Sequence, residues 1–146
     1  MVEKGGESAS YRPSRGGQTT KIHALTDVIG RPFAFLLTSG NAADSPVAPL
    51  LLSGLKGARY LLGDKGYDAN ALRKRLRQSA IVPVIPGRSN RTRSVAYDKQ
   101  RYRERHLIEN AFCRLKDFRR VATRYDKLAR NFLSAVALAT LVAFWL

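Results

Sequence analysis

From Thr20 to Thr26 the chain alternates with the period of a β-strand. Thr20, Ile22, Ala24 and Thr26 fall on one side, Lys21, His23 and Leu25 on the other. Phe33 to Thr38 (FAFLLT) is a second, more apolar run, and the DVIGRP between them carries turn residues. Together they predict an antiparallel hairpin that Ser39-Gly40-Asn41 ends. A helix is predicted from about Ser45 to Leu55, with Asp44 or Ser45 as its cap and Pro46 in its first turn. Pro49 argues for a later start. Ala58 to Gly63 reads as a short strand leading to Asp64, and Asp68 is expected to cap a basic helix over Ala69 to Ser79. Ile81 to Ile85 is strand-like, with Pro83 confining it to an edge or a strand end. Gly87 to Ser94 (GRSNRTRS) has three arginines and no apolar residue, which predicts a solvated, mobile loop. A long helix follows from about Asp98 to Val121, and a last one from about Asp126. Residues 1–18, rich in Gly, Ser and Arg, read as a flexible basic lead-in, and residues 19–146 as the folded part. The order β-β-α-β-α-β-α-α predicts a mixed α/β domain, its helices packed on a sheet that begins with an antiparallel pair.

Composition narrows the class. The chain has 146 residues, 45% hydrophobic and 25% charged, which suits one domain and excludes wholesale disorder. Cys113 is the single cysteine, so an internal disulfide and a cysteine zinc cage are excluded and a reducing compartment fits. Lys plus Arg is 26 against 11 for Asp plus Glu, a formal charge of +15. That excess points to a polyanion, most commonly DNA or RNA, with a generically basic surface as the alternative. The first residues lack the apolar core of a signal peptide. The apolar run Phe132 to Leu146 makes a helix only about 22 Å long, short of the roughly 30 Å hydrocarbon core, so it reads as a buried core helix. No membrane partner and a cytoplasmic location are expected.

Two acidic positions carry candidate chemistry. Asp64 follows the strand Tyr60-Leu61-Leu62-Gly63, at the rim of the sheet, where open α/β folds bind ligands. A turn or helix cap is its other reading. Glu109 lies on the long helix. Taking Tyr102 as zero, Arg105, Glu109 and Lys116 fall near about 300°, 340° and 320°, one narrow polar stripe apart from the apolar stripe of Leu107, Ile108, Ala111, Leu115 and Phe118. A solvated face with an Arg105–Glu109 bridge is the bland alternative. Two carboxylates in so basic a chain suit a hard divalent cation such as Mg²⁺, with nearby Arg and Lys on a DNA backbone. His23 reads as structural, His106 falls outside the polar stripe, Cys113 is a small helix residue and Trp145 is expected in the core.

The spacing Tyr102-x2-Arg105-x3-Glu109-x6-Lys116 resembles the Y-R-E-K signature of bacterial insertion-sequence transposases of the DDE type. GGQTTKIHAL (residues 16–25), LGDKGYD (62–68) and RYDKLARNF (124–132) are similar to blocks of that family. The resemblance implies a ribonuclease H-like fold and a triad of two Asp and one Glu that holds Mg²⁺ (or Mn²⁺). Asp64 would be the second acid and Glu109 the third. Tyr102, Arg105 and Lys116 would contact donor-end DNA or support the glutamate. The implied partner is double-stranded DNA, at transposon ends and target. In the family the first Asp precedes the GGQTTKIHA block, yet upstream of Thr19 the acids are Glu3 and Glu7 in a Gly/Ser-rich segment. Residues 19–146 are therefore expected to be a C-terminal, partial catalytic domain without its first strand. Such a chain would come from a truncated gene or from the second frame of a frameshifted one, and would work with an upstream transposase segment or as a homo-oligomer. Two readings of function stand: metal-dependent DNA cleavage and strand transfer, or a non-catalytic DNA-binding fragment that inhibits or regulates transposition.

Overall fold

Lys21 to Thr26 are all buried, so this strand is covered on both faces. A computed structural model describes residues 2–5, 20–123 and 128–146. Strands β1 (Val2–Gly5), β2 (Thr20–Thr26) and β3 (Pro32–Ser39) form an antiparallel sheet in the order β1-β2-β3. The hairpin of β2 and β3 is as the alternation predicts, with Ile22 opposite Leu37 and Ala24 opposite Phe35. At its tip the Asp27 carboxylate accepts from the backbone N–H of Ile29 and Arg31 at 3.1 and 2.9 Å. Gly30 there has φ of +84°, and a Cβ on it would lie 3.0 Å from that of Leu107. Both the left-handed backbone and the close approach call for glycine.

The second sheet pairs β4 (Tyr60–Leu62) with β5 (Val82–Val84) in parallel, joined through helix α2 (Asn70–Gln78). β1 also approaches β4. The side of β2 that carries Leu25 packs on α1 (Ala48–Leu52), Leu61, Tyr67, Leu72 and Leu76. The side that carries Ile22 and Ala24 packs on Ile108, Phe112 and Leu115 of α4 (His106–Lys116) and on Phe132 and Val136 of α6 (Ala129–Thr140). The result is a mixed α/β arrangement with helices on both sides.

Several expectations change. The lead-in is not wholly without structure, because Val2–Gly5 add a strand to β2, whose bare edge would leave backbone groups unpaired. The rest of residues 1–18, the start of the GGQTT block, RYDK at 124–127 and the expected helix start at Asp126 lie outside the described residues. Helix α1 starts later than predicted, with Pro49 rather than Pro46 in its first turn and no side-chain cap. The long helix is segmented into α3 (Lys99–Tyr102), a 3-10 turn (Arg103–Arg105), α4 and α5 (Arg119–Ala122), with extended backbone at Phe118 breaking it. It starts where expected, with Asp98 as its cap, accepting from the N–H of Gln100 and Arg101 at 3.0 Å. The terminal helix buries only one side. Trp145 is 46% exposed rather than in the core, with Arg31 stacked 4.3 Å from its ring and its indole N–H donating to the Pro32 carbonyl at 3.1 Å. The polar indole N–H finds its partner at the surface. Among the described residues no helix is long and apolar enough to cross a membrane.

The two sides of α6 give a direct test. Phe132→Ala, at a fully buried position, is expected to lower the unfolding free energy by roughly 3–5 kcal/mol. Leu138→Ala, at an exposed one, should change it by less than about 0.5 kcal/mol. Urea denaturation of both variants checks the assignment.

Candidate active site

Asp64 stands where β4 ends, and the chain turns there because its carboxylate caps the next segment. It accepts from the N–H of Gly66 at 2.5 Å and opens a 3-10 turn, Lys65–Tyr67. The cap reading of Asp64 is thus realised. A Cβ on Gly66 would lie 2.7 Å from Asp44 Oδ2 and 3.3 Å from Asp64 Oδ1, so the two carboxylates approach within about 6 Å over a residue whose lack of a side chain leaves them room. Asp44 is not a helix cap. It pairs with Lys21 at 3.3 Å, and Lys21 Nζ also donates to the Ala42 carbonyl at 2.8 Å. His23, two residues along β2, is structural as expected. Its Nδ1 lies 2.8 Å from the Tyr67 hydroxyl and its Nε2 2.8 Å from the Thr38 hydroxyl. One side of β2 thus holds the Tyr67 end of the turn that presents Asp64, and through Lys21 the Asp44 carboxylate beside Gly66.

Asp68 does not cap α2, whose first turn has no side-chain cap. Its fully buried carboxylate accepts from Arg73 Nε at 2.8 Å, from Arg91 Nε and Nη2 at 2.5 and 2.7 Å, and from the backbone N–H of Arg88 at 2.7 Å. Burial by itself would raise the Asp68 pKa. The hydrogen bonds from Arg91, Arg88 and Arg73 outweigh it and hold the carboxyl well below the ordinary range. The same contacts correct the reading of residues 87–94 as a mobile loop. Arg88 also donates to the carbonyls of Lys65 and Gly66, at 3.3 and 2.7 Å, and Arg91 to Asn70 at 2.9 Å. The arginines tie the loop to the Asp64 turn.

On the other element, Arg105 Nη2 donates to Glu109 Oε1 at 2.5 Å, while its guanidinium lies 5.5 Å from the Tyr102 ring. The 3-10 turn explains this, because at three residues per turn side chains i and i+3 eclipse, and Arg105 comes over Tyr102. Glu109 remains half exposed. Lys116 is exposed in the last turn of α4, about two helical turns beyond Glu109. Of the five predicted site residues, the fold gathers Tyr102, Arg105 and Glu109. Asp64 instead neighbours Asp44, on a turn whose Tyr67 packs on the opposite side of β2 from α4. Carboxylate oxygens are the right donors for a hard divalent ion. Their number is incomplete, since no three His, Cys, Asp or Glu among the described residues come together to hold one. His106, an exposed residue, has its Nδ1 2.8 Å from the Arg103 carbonyl. Sequence reasoning missed Lys21 and Asp44. The available signal was a lysine sharing a strand side with Leu25, which demands an acid wherever that side is covered.

The family model described as a transposase DDE domain matches residues 2–144. The chain is 42% identical over 125 residues to a Brucella ovis protein named as a transposase for insertion sequence element IS6501, an alignment covering 83% of this chain and 94% of that one. It is 32% identical over 136 residues to a Burkholderia cepacia protein named as a transposase for insertion sequence element IS402, covering 81% and 62%. No solved structure matches it.

The Asp68 hub predicts an acid-sensitive stability. With its pKa lowered in the folded chain, Asp68 stabilises the fold above the unfolded value of about 3.9, and that stability is lost as pH falls below it. Asp68→Asn should cost about 3–5 kcal/mol at neutral pH, because Arg73 keeps its bond to the Ile85 carbonyl but is left buried without its counter-charge. The gap between variant and parent should narrow below about pH 4. Urea titrations across that range measure it.

Proposed function

The chain belongs to the transposase DDE domain family, and on that premise we propose that it is the C-terminal part of a ribonuclease H-like catalytic domain that cuts and joins insertion-sequence DNA in the cytoplasm. The observation that carries this reading is the assembled Tyr102–Arg105–Glu109 stack on a chain of charge +15. A surface bridge contributes little stability, typically about 0.3–0.5 kcal/mol for an i,i+4 pair. Here it fixes the direction of a glutamate and a guanidinium together. Arg105, turned by its bond to Glu109, is proposed to contact a phosphate of the donor end. Lys116, seven residues beyond Glu109 and so about 10 Å along the helix, meets a separate phosphate.

Asp64 and Glu109 are proposed as two acids of a site for a divalent ion, Mg²⁺ or Mn²⁺. Their elements pack on opposite sides of β2, so a shared ion requires the two carboxylates to meet at the rim of the sheet. When bound, such an ion neutralises charge on the oxygens of the phosphate under attack. The third acid is supplied by an upstream transposase segment or by a second copy. Asp64 is suited to its part by rigidity, since its carboxylate caps the turn at Gly66 and Arg88 ties the carbonyls of Lys65 and Gly66 to the arginine loop.

Two measurements test this. The purified chain should neither nick nor join transposon-end DNA in Mg²⁺ or Mn²⁺. Activity should appear on fusion to an upstream segment with a strand bearing Asp, and vanish again with Asp64→Ala or Glu109→Ala. Robust cleavage by the chain alone, lost in those two variants, would refute the two-acid reading. A fusion that binds DNA but never cuts it would favour the regulatory fragment. In binding titrations, Arg105→Ala and Lys116→Ala should each flatten the log K against log salt slope by roughly one unit. Unchanged slopes would return the stripe to a solvated face.

A further inference from the structure

The arginine loop between β5 and α3 surrounds a polar pocket of about 510 Å³ lined by Asp68, Asn70, Arg88, Arg91, Thr92 and Arg93. That is within the range of small-ligand sites. We propose that this pocket is a cradle for a phosphate group of a DNA strand, set beside the Asp64 turn and separate from the Tyr102–Arg105–Lys116 stripe. The inference rests on the DNA-cutting reading above and adds a second phosphate contact to it.

Charge selects the ligand. The one carboxylate in the pocket, Asp68, is already satisfied by Arg73, Arg91 and the Arg88 N–H. Two guanidinium groups, those of Arg73 and Arg91, meet that single acid, while those of Arg88 and Arg93 carry charge that no carboxylate of the pocket offsets. The wall therefore keeps a surplus of positive charge, with hydroxyl and amide donors from Thr92 and Asn70 beside it. Guanidinium forks match phosphate oxygens in geometry as well as in sign. Arg93 is exposed and makes no ion pair among the described residues, which leaves its fork available. The wall is also preorganised. Arg91 is fixed between Asp68 and Asn70, and Arg88 between the loop and the carbonyls of Lys65 and Gly66, so little ordering is needed on binding. Because Arg88 spans from the pocket to the residues next to Asp64, a strand whose phosphate sits in the cradle runs past the candidate catalytic turn.

Arg93→Gln and Thr92→Ala change exposed side chains, so both variants should fold as the parent does. The chain would be titrated by NMR with inorganic phosphate, and by fluorescence anisotropy with short duplex and single-stranded oligonucleotides over a range of salt. Phosphate should shift the amides of residues 88–93 saturably, and DNA should displace it. Arg93→Gln should weaken phosphate binding several-fold and flatten the DNA salt slope by about one unit. Phosphate shifts scattered over other basic surfaces, or a slope and affinity unchanged in Arg93→Gln, would overturn the cradle. Saturable phosphate binding that DNA does not displace would also overturn it, in favour of a site for a free anion. Arg105→Ala separates the two ideas. If it weakens DNA binding while Arg93→Gln does not, the cradle falls and the DNA-cutting reading stands. If neither variant alters DNA binding, that reading fails with it.

Discussion

A strand buried on both sides must find partners inside the protein for every polar group it carries, and β2 sets this constraint for the whole molecule. Thr20, Lys21, His23 and Thr26 are more than half of its seven residues. Unpartnered, a buried ammonium or imidazole would cost more than the neighbouring apolar burial returns. The fold answers by placing Asp44 on Lys21 and both Tyr67 and Thr38 on His23. Those partners come from the loop before α1, from the turn after β4 and from β3. Satisfying β2 therefore fixes the turn that displays Asp64. On the reverse side, Ile22 and Ala24 seat the helix that bears Glu109.

The hairpin and the existence of each helix were legible because period and turn chemistry are local. His23 was read as structural for the same reason, since it sits inside a strand pattern. The errors fall where one residue's role is decided by another far along the chain. Asp68 looks like a helix cap from its position ahead of Ala69, but Arg91, 23 residues on, claims its carboxylate. GRSNRTRS looks mobile until that acid pins Arg91 and the Arg88 backbone, although Arg88 and Arg93 do stay exposed as read. Trp145 reads as core in an apolar run, whereas the carbonyl that takes its indole N–H belongs to Pro32.

Of the site, spacing on one helix revealed Tyr102, Arg105 and Glu109 as a group, and the 3-10 turn tightened what an ideal helix only approximates. Lys116 shared their angular position but stands apart, because angle says nothing of the seven residues of axial separation. The closeness of Asp44 to Asp64 was not legible at all. It depends on Gly66 allowing two carboxylates to crowd one backbone position, a tertiary fact carried by a residue with no side chain.

The bond from the Trp145 indole to the Pro32 carbonyl spans 113 residues, and Arg31 stacks on the same ring. A ribosome delivers the hairpin tip long before position 145 exists. With synthesis at about 5–20 residues per second, that tip waits on the order of ten seconds without its clasp. Its exposed Val28 and Ile29 then have only local contacts to restrain them. Closure of this hairpin against the segment that carries Trp145 is thus a late event in folding. The interval before it is when a nascent chain of this kind is most open to chaperones, proteases and its own neighbours on a polysome.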